Sequence, residues 1–312
     1  MKTATWFVTG STGFLGRHVV RELAREGRVR TIGLGRADSV PPSGIDEFVK
    51  LDPFSIEPWE WAVRYFEPKV VLHLAGRTPP ADHDSMVRDN VELTQVLITA
   101  LENVGKPVRF VHCGSAAELG DVPESLLPAN ESIEPQPLSD YGITKWQAAR
   151  IALGARPAVD PVVGRIFNPI GPGQPASQVF GRYARAFRAA GPQRSEPWII
   201  AGLSSRRDFV DARDAAKALI ALGRNGRGRQ IYHIGAGKSR SVGEGLEILG
   251  NLAGCRAPIV EDRAEVSRGP RDSVADIRRI VDLTGWCPVV DFRTSLEDLW
   301  NEVIRQSADS AT

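Results

Sequence analysis

The sequence predicts a doubly wound α/β fold with a parallel sheet, followed by a smaller C-terminal α/β unit. Three observations carry this expectation. Apolar, β-rich runs alternate with amphipathic helical patterns through the first half of the chain, the pattern of strand–helix–strand crossovers. A glycine-rich turn stands between the first strand and the first helix. From about residue 168 the alternation breaks, and Pro and Gly cluster in 169–175 and 191–197.

The elements follow in order. Trp6-Phe7-Val8 reads as a short strand bounded by Gly10. Residues 13–26 place Phe14, Val19 and Leu23 on one helical face. Strands are predicted at 29–34 and 48–49, a helix near 57–66, a buried strand at 70–74 and a long helix near 85–104. A strand at 109–113 and a helix from about Tyr141 complete the first part. A strand–helix pair at 206–222 and a strand at 231–234 could rejoin the same sheet. The predicted division is therefore 1–165 plus about 206–235 for the large sheet, and 166–205 plus 236–312 for the smaller substrate domain.

Composition narrows the function classes. The 312 residues are 42% hydrophobic and 25% charged, ordinary for a folded soluble protein. Lys plus Arg number 39 against 38 Asp plus Glu, so the net charge of +1 argues against a nucleic-acid binder. Cys113, Cys255 and Cys287 are far apart and odd in number, which fits neither a disulfide framework nor a zinc cluster. The N-terminal apolar run is too short for a signal-peptide core, and no run of about 18 apolar residues occurs. A cytoplasmic protein without a membrane partner is expected. Asp82-His83-Asp84 lacks a second ligand group at matching spacing, so no metal is expected.

Thr9-Gly10-Ser11-Thr12-Gly13-Phe14-Leu15-Gly16 follows the first strand and opens the first helix. Gly10 permits a tight turn, Gly13 lets backbone approach a pyrophosphate, and Gly16 lets helix and sheet pack closely. The helix N-terminus then offers free N–H groups to phosphates. A dinucleotide is the ligand this turn predicts. Strand two ends Gly33-Leu34-Gly35-Arg36 with no acid at its tip. Arg36 could therefore grip a 2′-phosphate, which favours NADPH/NADP. The alternative is NAD, with Asp38 taking the ribose role.

Tyr141-Gly142-Ile143-Thr144-Lys145 puts a phenol and an ammonium on one helical face, four residues apart. A free Tyr titrates near 10, and the Lys145 charge, with an oxidised nicotinamide, should bring Tyr141 toward neutral pH. Ser139 and Asp140 could cap this helix. His73 and His112 sit inside apolar strands and read as satisfied core residues.

The spacing G-x-x-G-x-x-G behind Thr9, with further segments, resembles the extended branch of the short-chain dehydrogenase/reductase superfamily, the NAD-dependent epimerase/dehydratase type, across nearly the whole chain. The further segments are Asp52, His73-Leu74-Ala75-Gly76, Asn90-Val91, Arg165 to Gly173, Arg207-Asp208-Phe209-Val210, Arg268 to Asp272 and Thr284 to Pro288. The resemblance implies a Rossmann domain in which Gly10, Thr12, Gly13, Phe14, Leu15, Gly16, Arg36, Asp52, Leu74, Ala75 and Gly76 line the cofactor. It implies catalysis by Ser115, Tyr141 and Lys145, the last two also touching cofactor. Ala117 stands where 4,6-dehydratases of this branch carry Glu, and Glu118 is offset by one residue, which disfavours dehydration.

Asn168 to Gln174 and Arg207-Asp208-Phe209 are most similar to GDP-4-keto-6-deoxy-mannose reductases. That implies a nucleotide-sugar substrate touching Ser115, Asn168, Arg207 and Arg268, and deoxysugar biosynthesis. The alternatives are a 4-epimerase with retained NAD, reduction of a non-sugar ketone, and a non-catalytic NADP-binding sensor. The resemblance also implies a homodimer through helices 85–104 and 141–153, with Val91, Leu97, Ile98, Ile151 and Leu153 as seam candidates.

Overall fold

The computed structural model describes residues 4–262 and 272–309. Its first half runs β1 (Thr5–Thr9), α1 (Phe14–Glu26), β2 (Arg30–Gly35), β3 (Glu47–Lys50), α2 (Ile56–Phe66), β4 (Val70–His73), α3 (His83–Met86), a π-helical segment (Val87–Glu92), α4 (Leu93–Val104), β5 (Val108–Ser115), α5 (Asp140–Leu153) and β6 (Val159–Ile166). The second half adds β7 (Pro169–Ile170), α6 (Val179–Ala190), β8 (Trp198–Ile200), β9 (Arg206–Asp208), β10 (Val210–Asp211), α7 (Ala212–Asn225), β11 (Gln230–Ile234), β12 (Ser239–Ser241), α8 (Val242–Leu252), β13 (Ile259–Glu261), α9 (Arg278–Thr284) and α10 (Phe292–Asp309).

The central sheet is seven-stranded in the order β11-β6-β5-β4-β1-β2-β3, with every pairing parallel. The order reverses on either side of β1, so helices cover both faces and the carboxyl ends of β1 and β4 flank a crevice. One face is filled by Val19, Val20 and Leu23 of α1 with Ala215, Leu219 and Leu222 of α7. The other is filled by Trp59 and Val63 of α2 with Leu97, Ile98 and Leu101 of α4. Each fully buried Leu, Ile or Val contributes about 1.5–3 kcal/mol.

The strands and helices read from the first 150 residues lie where the sequence places them. The structure corrects the reading beyond that point. β6, built from an apolar run the alternation did not single out, forms a central strand between β5 and β11. Of the segments expected to return to the sheet, β11 joins it as a strand and α7 covers its face, whereas β9 pairs with β12 and β10 with β7. A third core gathers Phe180, Phe187, Leu246, Leu249, Leu296 and Leu299 from α6, α8 and α10. Ile280 and Trp286 pack instead into the α1–α7 core, and the Trp286 indole donates to Asp214 O at 3.0 Å. The stretch 278–290 thus lies on the large sheet although the sequence pattern assigned 236–312 to the smaller unit.

Leu97 and Ile98, two of the seam candidates, are buried against the chain's own sheet, and Val91, Ile151 and Leu153 are half-buried. The outward residues of α4 and α5 include Gln95, Asn103, Gln147 and Arg150, with Ile143 the exposed apolar one on α5. Among the described residues no helix is long and apolar enough to cross a membrane.

Candidate active site

The glycine turn joins β1 to α1. Gly10 has φ +66°, a conformation that favours glycine, and a Cβ there would lie 2.6 Å from Ala75 N. The segment Leu74-Ala75-Gly76 therefore passes directly behind the turn, pinned where Ala75 N donates to Thr9 Oγ1 at 3.2 Å. A Cβ on Gly16 would lie 2.0 Å from Gly10 O, which sets how closely helix and turn approach. Gly13 is the N-cap of α1, with no side-chain cap and no acid in the first turn. The first N–H groups of α1 thus keep their capacity for an external anion. Thr12 places its carbonyl under the Arg17 guanidinium at 2.9 Å, while Phe14 and Leu15 are half-buried at the helix start. The buried Ser11 Oγ has no partner among the described residues. An uncapped helix start, a backbone cradle and an orphaned hydroxyl fit a dinucleotide.

Arg36 follows β2 with its side chain about half exposed, its Nε 3.6 Å from Asp38. Asp52 is exposed, and its carboxylate accepts Phe54 N at 3.0 Å and Ser55 Oγ at 2.6 Å. The Ser55 hydroxyl and Phe54 N–H hold that carboxyl below its usual range.

Ser115 ends β5, and its Oγ accepts Ala117 N at 3.2 Å. Tyr141 is the second residue of α5, which Ser139 caps through Gly142 N at 3.1 Å. A Cβ on Gly142 would lie 2.3 Å from Ala117 O, so only glycine lets the first turn of α5 seat against the turn after Ser115. This contact brings Ser115 and Tyr141 together. Lys145 is buried one turn further along α5, and its charge reaches His73, His112 and Cys113.

Without cofactor, the Tyr141 phenol is raised rather than lowered. Burial pushes it up from its ordinary value, the Ser115 hydrogen bond opposes this, and Cys113 and Glu118 add to the rise. The cofactor-free chain should therefore hold Tyr141 protonated through neutral pH. An ultraviolet difference titration of wild type against Tyr141→Phe should show no tyrosinate from this residue below about pH 10. A tyrosinate signal between about pH 6 and 8 would contradict the assignment.

Asn90 is buried in the π-helical segment. Its Oδ1 accepts Arg77 N at 2.7 Å and its Nδ2 donates to Thr144 Oγ1 at 3.0 Å. It thereby ties the segment behind the glycine turn to the residue beside Lys145. His73 is satisfied by Thr9 Oγ1 at 2.8 Å and Thr94 Oγ1 at 3.0 Å, with burial driving its pKa down to about 3. His112 differs from expectation: both ring nitrogens are buried without a partner among the described residues.

On the substrate side, Asn168 Nδ2 donates to Asp208 O at 3.0 Å. Arg207 is half-buried, with Asp272 and Asp121 as its nearby charges. Asp208 is buried and accepts Ala236 N at 2.6 Å and Gly237 N and Ala275 N at 3.0 Å. Burial nonetheless pushes its carboxyl up to about 6. Arg268 lies outside the described residues.

Two charged residues have roles that the sequence reading did not assign. Glu118 is fully buried; one carboxylate oxygen accepts Ser115 N at 2.7 Å, the other Arg165 Nε at 2.9 Å. Arg165, which the resemblance grouped with substrate-side motifs, is itself fully buried and stands away from solvent. Ala117 has no acid to offer, so neither position presents a carboxylate to the cleft. Asp82 caps α3 through Ser85 N at 2.8 Å, and no metal-competent cluster occurs among the described residues.

The profile of the NAD dependent epimerase/dehydratase family matches residues 6–235. The GDP-6-deoxy-D-mannose reductase of Pseudomonas aeruginosa is 28% identical, with 97% of this chain and 99% of that protein covered. The dTDP-6-deoxy-L-talose 4-dehydrogenase (NAD(P)(+)) of Kitasatospora kifunensis is 29% identical, with 94% and 93% covered. The solved structure of RMD from Pseudomonas aeruginosa complexed with NADPH superposes with a TM-score of 0.84 at 27% identity, covering 97% of this chain and 98% of that one.

Proposed function

This chain belongs to the NAD dependent epimerase/dehydratase family, and on that premise we propose that it is an NADPH-dependent reductase of a nucleotide-linked 4-keto-6-deoxy sugar. It is an NAD(P)-dependent enzyme of the extended short-chain dehydrogenase/reductase type that modifies nucleotide sugars. The observation that carries the finer reading is the similarity to the GDP-6-deoxy-D-mannose reductase of Pseudomonas aeruginosa, which extends over 97% of this chain and 99% of that protein. Tyr141 stands beside Ser115 in a cleft to which positions 117 and 118 bring no carboxylate, an arrangement that fits proton donation to a reduced ketone and disfavours dehydration.

Bound NADPH supplies the hydride. The Ser115 hydroxyl, whose oxygen already accepts Ala117 N–H, turns its own proton to the ketone oxygen. Tyr141 protonates that oxygen as charge develops. Lys145 orients the nicotinamide ribose, and Arg36 holds the 2′-phosphate. Asn168, Arg207 and Arg268 take the nucleotide-sugar, the two arginines its diphosphate. Two copies pair through α4 and α5, with Ile143 in the seam; sedimentation at micromolar concentration should show a dimer, and a monomer would contradict it.

The function is tested by following NADPH against a panel of nucleotide-linked 4-keto-6-deoxy sugars. One NADPH should be oxidised per ketone consumed. Turnover without net oxidation would assign an epimerase, and cofactor binding with no turnover a sensor. Arg36→Ala should weaken NADPH binding by about 1.5–3 kcal/mol and leave NADH nearly unchanged, because only NADPH carries the 2′-phosphate. Equal effects on both cofactors, read by fluorescence titration, would remove Arg36 from the site.

A further inference from the structure

Beneath the cleft floor, one row of side chains crosses three adjacent strands. His233 of β11 pairs in register with Arg165 of β6, and Arg165 with Gly114 of β5. Gly114 has no side chain, and the Glu118 carboxylate occupies that space: a Cβ on Gly114 would lie 2.7 Å from its Oε1. From there Oε1 accepts the Ser115 N–H at 2.7 Å, closing a capping box with the Ser115 hydroxyl. Oε2 accepts Arg165 Nε at 2.9 Å, and both side chains are fully buried. Arg165 Nη1 lies 3.3 Å from His233 Nε2.

The imidazole is fixed as well. His233 Nδ1 lies 3.0 Å from Ala129 O, a carbonyl that can only accept, so the ring proton is assigned to Nδ1. That leaves Nε2 as a lone-pair acceptor for Arg165. Burial and the Arg165 charge push His233 down to about 3, which keeps it neutral in this role. Arg165 therefore donates both ways, to His233 Nε2 and to Glu118 Oε2, and Glu118 accepts from both Arg165 and the Ser115 peptide.

We propose that Glu118 is a positioning residue for ketone reduction: pinned by Arg165 and His233, it holds the Ser115 peptide so that the Ser115 hydroxyl is aimed at the reacting oxygen. The proposal rests on the reading of Ser115 as the group that binds that oxygen. Stability alone is a poor reason for such a network. A buried ion pair roughly breaks even against apolar residues of similar volume, and Arg165 Nη2 is left buried with no partner among the described residues. What the arrangement does supply is a rigid acceptor for one peptide, that of Ser115. Trp146 of α5, with the Arg165 guanidinium 5.7 Å from its ring centroid, packs the same guanidinium against the helix that carries Tyr141.

The test uses variants that replace the charge pair without stranding a buried charge. In Glu118→Leu/Arg165→Met the Ser115 N–H loses its acceptor. Its kcat should fall roughly 10²-fold, the scale of a displaced reacting group, with NADPH affinity and sugar-nucleotide KM within about threefold of wild type. Glu118→Gln/Arg165→Met restores an acceptor oxygen without charge and should recover kcat to within roughly fivefold. Combined with Ser115→Ala, the Leu/Met pair should cost less than about threefold more, because the network acts through Ser115. Wild-type kcat in the Leu/Met variant, no recovery with Gln, or an undiminished loss on top of Ser115→Ala would overturn the proposal. So would loss of fold in both double variants, which would assign the network to stability. If Ser115→Ala alone left kcat unchanged, the reading of the active site would fail instead.

Discussion

Tyr141→Phe should lower ketone reduction by at least ~10²-fold, equivalent to about 2.7 kcal/mol of transition-state stabilisation. The substitution removes the proton donor and keeps the ring, so folding and NADPH binding should be retained. Its neighbours give different signatures. Lys145→Ala removes a buried ammonium and should weaken cofactor binding as well as turnover. Ser115→Ala should slow reduction with little change in NADPH affinity, since its partner is the substrate oxygen. Steady-state kinetics with cofactor titrations separate the three. Near-full activity in Tyr141→Phe would refute the assigned chemistry while leaving the fold untouched.

The second large effect is expected at Gly16. An added Cβ would meet Gly10 O at 2.0 Å and Ser11 Cα at 2.7 Å. Both are backbone atoms, so α1 itself must move away from the turn. Overpacking of this kind costs about 1–3 kcal/mol, and the shift opens the cradle that the first N–H groups of α1 form. Gly16→Ala should lower the melting temperature and abolish the rise that NADPH produces in wild type. A variant that NADPH stabilised as strongly as wild type would show that the cradle tolerates the displacement.

Local spacing made much of the site legible. The glycine turn, the Tyr141–Lys145 pair and Ser115 each lie within one turn or one strand end, where sequence distance fixes spatial distance. The fold class followed from the strand–helix alternation up to α5. What the sequence concealed depends on strand order. Glu118, Arg165 and His233 are 47 and 68 residues apart, and become neighbours only because β5, β6 and β11 lie side by side. Gly114 and Glu118 were within reach of local reasoning: Gly114 precedes Ser115, and Ser115 with a Glu three places after it forms a capping-box pattern, S-x-x-E.

Burial explains the other departures. Burial raises the Tyr141 phenol in the cofactor-free chain, where no oxidised nicotinamide acts on it. Leu97 and Ile98 have the spacing of a helix seam, and the face they mark is the one that covers the sheet. Periodicity identifies an apolar face but not what covers it.

Reduction at C4 of the sugar is tested most directly with NADPH carrying deuterium at the transferred position of its nicotinamide. A nucleotide-linked 4-keto-6-deoxy sugar incubated with the enzyme should yield a 4-hydroxy product bearing one deuterium at C4 for each NADPH oxidised, read by nuclear magnetic resonance and mass. Product without deuterium at C4, or sugar conversion with no NADPH consumed, would contradict the account.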